Sequence, residues 1–124
     1  MDENNHTKGN TLAEKSVLFS IRSVKCYQYL TNEKKEYVMS KQFLRCGTSI
    51  GANVHEAVYA QSKADFISKL SISLKEASET SYWLKILNKT QYISDEQYGS
   101  LKEDLDSIIR IIISSIKTAK KNDL

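Results

Sequence analysis

Proline is absent from this 124-residue chain, and glycine occurs only four times. A sheet protein of this length needs many turns, and turns draw heavily on those two residues. Their scarcity favours long helices joined by short connections. Hydrophobic periodicity agrees, with four helical stretches expected at residues 10–32, 36–60, 63–91 and 95–120. The breaks, TNEKKE, AQSKAD and QYISDE, are short and polar, so neighbouring helices should run antiparallel. Ser62 with Asp65, and Ser94 with Asp95, Glu96 and Gln97, are helix-start signals, the second close to a capping box. The expected fold class is all-α: a single antiparallel, up-down four-helix bundle over residues 10–121, preceded by a polar tail, 1–9, read as disordered.

The helix faces carry more apolar residues than a lone bundle uses. In the first stretch, Ala13, Val17, Ile21, Val24 and Tyr27 form one stripe. Leu12, Phe19, Cys26 and Leu30 form a second, well round the cylinder. The second stretch aligns Met39, Phe43, Gly47, Ile50, Val54 and Ala57. The third aligns Phe66, Leu70, Leu74, Ala77 and Leu84, with Ile72, Trp83 and Ile86 on its other side. The fourth aligns Leu101, Leu105, Ile108, Ile112 and Ile116, beside Ile109 and Ile113. Its isoleucines favour strand by propensity, but their spacing is helical and no second strand candidate exists to pair with. A bundle helix buries one stripe and wets the rest. The second rows therefore suggest self-association, with Leu12, Phe19, Ile72, Trp83, Ile86, Ile109 and Ile113 as interface candidates.

A polar row runs beside the apolar stripe of the second stretch: Gln42, Arg45, Ser49, Asn53 and Glu56. Spacings of three and four stack these side chains on one side of a helix. Gly47, Ser49, Gly51 and Ala52 are small enough to let another helix approach closely, although each mid-helix glycine costs about 1 kcal/mol in propensity. Antiparallel pairing with the third stretch sets Arg45 level with Glu76 and Glu79. That predicts a partly buried polar network of structural character, within or between subunits. A ligand or RNA contact is the alternative.

At these residues the chain resembles a known family, the small bacterial four-helix proteins named after the intervening sequences of 23S rRNA genes. The family pattern Q-x-x-R-x-x-x-S-I-x-x-N-[IV]-x-E-[AG] is matched by Gln42, Arg45, Ser49, Ile50, Asn53, Val54, Glu56 and Ala57. A second pattern, S-x-x-D-F-[IL]-x-K-L followed by K-E-x-x-E-[TS]-x-[YF]-W-L, runs from Ser62 through Asp65, Phe66, Lys69, Lys75, Glu76, Glu79 and Trp83 to Leu84. The match covers most of the second and third stretches, while the first and fourth agree only in length and apolar pattern. The resemblance implies a four-helix bundle and, in related proteins, a ring of five subunits. Related proteins include the accessory subunit of diversity-generating retroelements, which works with a reverse transcriptase and binds nucleic acid through a basic surface. This chain is less basic than that relative, at a net charge of +3.

No catalytic constellation, metal site or cofactor motif is present in the pattern. Glu76 and Glu79 are better explained by an arginine partner than by acid–base work. His55 directly precedes Glu56, the wrong order and spacing for a di-metal bundle site. Cys26 and Cys46 lack paired spacing and read as small buried thiols in a reducing compartment. The first ten residues hold no hydrophobic segment, and the run from Ile108 to Ile116 is too short to span a bilayer. The expectation is a cytoplasmic, non-enzymatic, homo-oligomeric binding module, associated with RNA or with an RNA-handling enzyme. Lys117, Lys120 and Lys121 are the nucleic-acid candidates. A protein–protein scaffold with no nucleic-acid affinity is the alternative. A small-ligand site around Arg45 and Asn53 is a third reading.

Overall fold

The structure, a computed structural model, describes residues 11–122. Four helices account for nearly all of them: α1 (Thr11–Asn32), α2 (Met39–Val58), α3 (Lys63–Lys89) and α4 (Asp95–Lys121). Each packs against its neighbours in the chain, and α4 closes the ring of four against α1, the least intimate of the pairings. This is the expected up-down bundle. The predicted tail at residues 1–9 lies outside the described residues.

Side chains set the helix starts. Ser62 accepts from the Asp65 N–H at 3.0 Å, and Ser94 and Gln97 form a reciprocal capping box. α2 begins at Met39, after the N-cap Val38, rather than at residue 36, because the Glu36 side chain reaches forward to cap the first N–H groups. Its buried carboxylate accepts from the backbone N–H groups of Val38, Met39 and Ser40 at 3.1, 2.9 and 2.7 Å. Burial raises the carboxyl pKa, but these bonds outweigh it and hold the group below its ordinary range. α3 ends two residues before the expected boundary. Gln91 is left-handed at φ 70°, its N–H donates to the Asn88 carbonyl, and the Tyr92 N–H donates to that of Leu87. This is a Schellman ending built on glutamine instead of glycine.

The core runs through Phe43, Ile50 and Val54 of α2, Leu70, Ala77 and Leu84 of α3, and Leu101, Leu105, Ile108 and Ile112 of α4. These follow the stripes read from sequence. α1 does not follow the order expected of it. Phe19 is 1% exposed and Leu30 fully buried, with Leu12 and Cys26 packed against the core. Val17, Leu18, Ile21 and Val24 face outward. Phe19 is therefore a core residue rather than an interface candidate, while Leu12 is half-buried at the edge of the core. Trp83 and Ile109 also pack against the core, and Ile86 is half-buried, while Ile72 and Ile113 stay exposed.

The physical reason lies in the serines. Ser16 and Ser23 occupy the buried face of α1 with their hydroxyls bonded to the carbonyls of Ala13 and Phe19. A hydroxyl satisfied by its own helix is tolerated inside a core. These small residues meet the glycines of α2. A Cβ on Gly47 would stand 3.0 Å from the Ser23 Cβ, and one on Gly51 would stand 3.1 Å from the Ser16 carbonyl oxygen. The close approach inferred for the α2 glycines is thus made by α1. Ser73 performs the equivalent task for α3, donating to the Ile50 carbonyl at 2.9 Å. No buried side-chain nitrogen or oxygen among the described residues lacks a partner.

Candidate functional site

Three surface features stand out on this bundle. The first is the seam between α2 and α3. Arg45 donates to Glu79 Oε2 at 2.6 Å and to Glu76 Oε1 at 3.2 Å, and the Trp83 indole N–H donates to the same Glu79 oxygen at 3.3 Å. The bond from Arg45 chiefly holds Glu79 below its ordinary pKa. Arg45 is about half exposed, so solvent screening limits the pair to about 1 kcal/mol or less. It fixes the register of two helices more than it stabilises them.

Both carboxylates that Arg45 meets among the described residues belong to its own chain. The rest of the polar row does not join them. Asn53 folds back to the Ser49 carbonyl at 2.9 Å, and Gln42 and Glu56 are exposed with no side-chain hydrogen bond among the described residues. Arg45 and Asn53, the groups a small ligand would need, are both engaged.

The second feature is the outer stripe of α1, where Val17 is 57%, Leu18 60%, Ile21 47% and Val24 40% exposed. Buried Phe19 and Leu30 lie on the opposite side of the same helix, so α1 is apolar on two faces.

The third is the end of the bundle where α2 turns into α3 and α4 finishes. A groove of about 660 Å³ runs there, with Val58, Ala60 and Phe66 along one wall and Ser114, Thr118 and Asn122 along the other. Lys117, Lys120 and Lys121 are exposed on the last turns of α4, away from the groove wall, and none has an ion-pair partner among the described residues. α4 carries no acidic residue from Ser107 to Lys121. Cations at a helix C-terminus also complement its dipole, which accounts for part of this pattern.

Comparison with known proteins covers nearly the whole bundle. The model of the 23S rRNA-intervening sequence protein family matches residues 8–114. The chain belongs to that family. A solved structure from Bacteroides thetaiotaomicron VPI-5482, described as a protein with unknown function from the S23 ribosomal protein family, is similar to it. The two share 57% identity over 86% of this chain and 98% of that one, with a TM-score of 0.85. No curated protein matches the chain.

In this member of the 23S rRNA-intervening sequence family, two functional-looking contacts have no counterpart in the sequence reading. Arg22 of α1 donates to Asp104 Oδ2 at 2.7 Å, to the Ser100 Oγ at 2.9 Å and to the Ser100 carbonyl at 3.3 Å, bridging to α4. It ties together the pair of helices that otherwise touches least. Its partners lie 78 and 82 residues away, beyond the reach of any local pattern. The second is the Glu36 cap, which capping rules built on Ser, Thr, Asp and Asn do not flag. The thiols behave as structural groups. Burial pushes Cys26 up to about 11 and also raises Cys46. No helix among the described residues is long and apolar enough to cross a membrane.

Proposed function

We propose that this family member is a cytoplasmic, non-enzymatic, homo-oligomeric module that binds RNA or serves an RNA-handling enzyme. The observation that carries the RNA reading is the exposed group of Lys117, Lys120 and Lys121 on an α4 half that holds no acid. One such group gives weak attraction, but assembly repeats it on one face of an oligomer. Clustered cations release counterions from a phosphate backbone, and affinity rises with the number of phosphates neutralised. The outer stripe of α1 supports the assembly, because a run of contiguous exposed apolar residues is a mark of association. An exchange of apolar surface between different faces of neighbours closes into a ring when the rotation permits. The same stripe favours a second reading, a scaffold for protein partners with no nucleic-acid affinity.

Light scattering on the purified protein, with absorbance at 260 and 280 nm across the same peak, separates these readings. An oligomer mass with excess 260 nm absorbance, lost steeply as salt rises, is the expected result. An oligomer with a clean protein spectrum and no RNA binding at low salt favours the scaffold. A monomer removes both.

A further inference from the structure

Ser71, Lys75, Ser78, Tyr82, Lys85 and Lys89 recur along α3 at intervals of four and three residues, and all six are exposed. That spacing sets them in one stripe on the outer side of the helix, away from buried Leu70, Ala77 and Leu84. Lys75 and Lys89 lie two turns before and after Tyr82, about 10 Å from it along the axis, and Lys85 lies on the next turn. None of the three lysines has an ion-pair partner among the described residues. The acids of α3 over this stretch, Glu76 and Glu79, are both engaged by Arg45. Lys75 stands mid-helix, where no helix dipole calls for a cation.

Tyr82 is 57% exposed, and its ring centroid lies 5.1 Å from that of Trp83 at 75°, an edge-to-face contact. Trp83 is fixed in turn, packed against the core with its indole N–H on Glu79. The tyrosine is thus braced from one side while more than half of it stays open to solvent. An exposed ring in line with cations is the pairing by which proteins hold single-stranded nucleic acid: the cations follow the phosphates and the ring takes a base face. Duplex RNA is recognised by its shape and backbone, with no free base face for the ring. An acidic peptide would use the lysines but has no flat face to lay on the tyrosine. We propose that the outer face of α3 is a site for single-stranded RNA, in which Tyr82 stacks on an unpaired base and Lys75, Lys85 and Lys89 hold phosphates on either side. The site rests on the nucleic-acid reading above and adds to it a contact surface separate from the α4 lysines.

The test is fluorescence anisotropy at low salt with a labelled, unstructured RNA of about 15 nucleotides, the upper range of single-strand site sizes. The same strand annealed to its complement, and an oligoglutamate of equal charge, serve as comparisons. Tyr82→Ala should weaken single-strand binding about tenfold, the scale of one lost base stack. Tyr82→Trp should restore it, and duplex binding should not change. Replacing Lys75, Lys85 and Lys89 together by serine should flatten the dependence of log affinity on log salt by about 2, at about 0.7 for each of three phosphates. Light scattering on Tyr82→Ala should give the wild-type mass.

Equal single-strand binding by Tyr82→Ala and wild type overturns the site. So does a changed mass, which would make Tyr82 a subunit contact. Tighter binding of the oligoglutamate than of the RNA would make the stripe a face for acidic proteins and also overturn it. If binding is lost only when Lys117, Lys120 and Lys121 are replaced by serine, the RNA reading stands and the α3 site falls. Wild-type protein that binds neither RNA at low salt overturns both.

Discussion

Gly51 lies against the backbone of Ser16, so close that a Cβ on the glycine would stand 3.1 Å from the Ser16 carbonyl oxygen and 2.9 Å from the Ser20 hydroxyl. Backbone cannot swing aside as a long side chain can. Gly51→Ala should therefore separate α1 from α2 and destabilise the protein by about 1–3 kcal/mol, the usual cost of overpacking. The intrinsic helix gain of about 1 kcal/mol for alanine over glycine works against that loss. Gly99 is the control, because a Cβ there meets nothing within 4 Å. Gly99→Ala should raise stability by about 0.5–1 kcal/mol. Urea denaturation of both variants checks the pair, and a Gly51→Ala variant as stable as wild type would sink the close-approach account.

Glu36 gives the chain a pH-dependent helix start. Its three backbone bonds favour the carboxylate and hold its folded-state pKa below the ordinary 4.5. A depressed pKa contributes stability that is fully present above the unfolded value. It is lost as pH falls through the folded value. Glu36→Gln should cost about 0.5–2 kcal/mol at pH 7, the range for lost helix caps. The variant should also lose less stability than wild type on acidification below pH 4.5. Thermal unfolding at several pH values reads both effects, and parallel curves for the two proteins would contradict the assignment.

Legibility in the sequence tracked the range of the interaction. The core stripes of α2, α3 and α4 were readable because bulky apolar residues recur at helical spacing. The Arg45 pairing with Glu76 and Glu79 was readable because a short turn fixes the register of two antiparallel helices. α1 misled because half its buried face is serine, and a hydrophobic pattern scores Ser16 and Ser23 as solvent-facing. Their hydroxyls are satisfied locally, and the glycines that need them small belong to another helix. The Arg22 bridge to Ser100 and Asp104 depends on how the first and last helices meet. No spacing within either helix encodes that meeting.

Gln91 sits at the left-handed position that ends α3, with φ at 70°. A side chain there costs about 1 kcal/mol that glycine does not incur. Gln91 is exposed, so removing its side chain sacrifices little packing. Gln91→Gly should therefore raise stability by about 0.5–1 kcal/mol, offset partly by the greater freedom of glycine in the unfolded chain. Both carbonyl partners of this turn, Asn88 and Leu87, are kept in the variant. A fall in the urea midpoint would show that the glutamine side chain does something the turn geometry does not reveal.

The proposed assembly makes the sharpest demand on α1. Val17 and Ile21 are 57% and 47% exposed and lie on the face opposite buried Phe19. Changing both to aspartate adds charge where the single chain has only water, so the fold should survive with a stability change of about 0.5 kcal/mol or less. An interface is different, because burying two unpaired carboxylates costs several kcal/mol per ion. Val17→Asp with Ile21→Asp should thus bring the scattering mass down to that of the 14.1 kDa chain. The circular dichroism should remain helical. Ile72→Asp and Ile113→Asp, made singly, report whether the other exposed isoleucines complete the opposite half of a heterologous contact. A double aspartate variant that keeps the full oligomer mass would mean that α1 leaves its outer stripe to some other partner, and the self-assembly reading of that helix would fail.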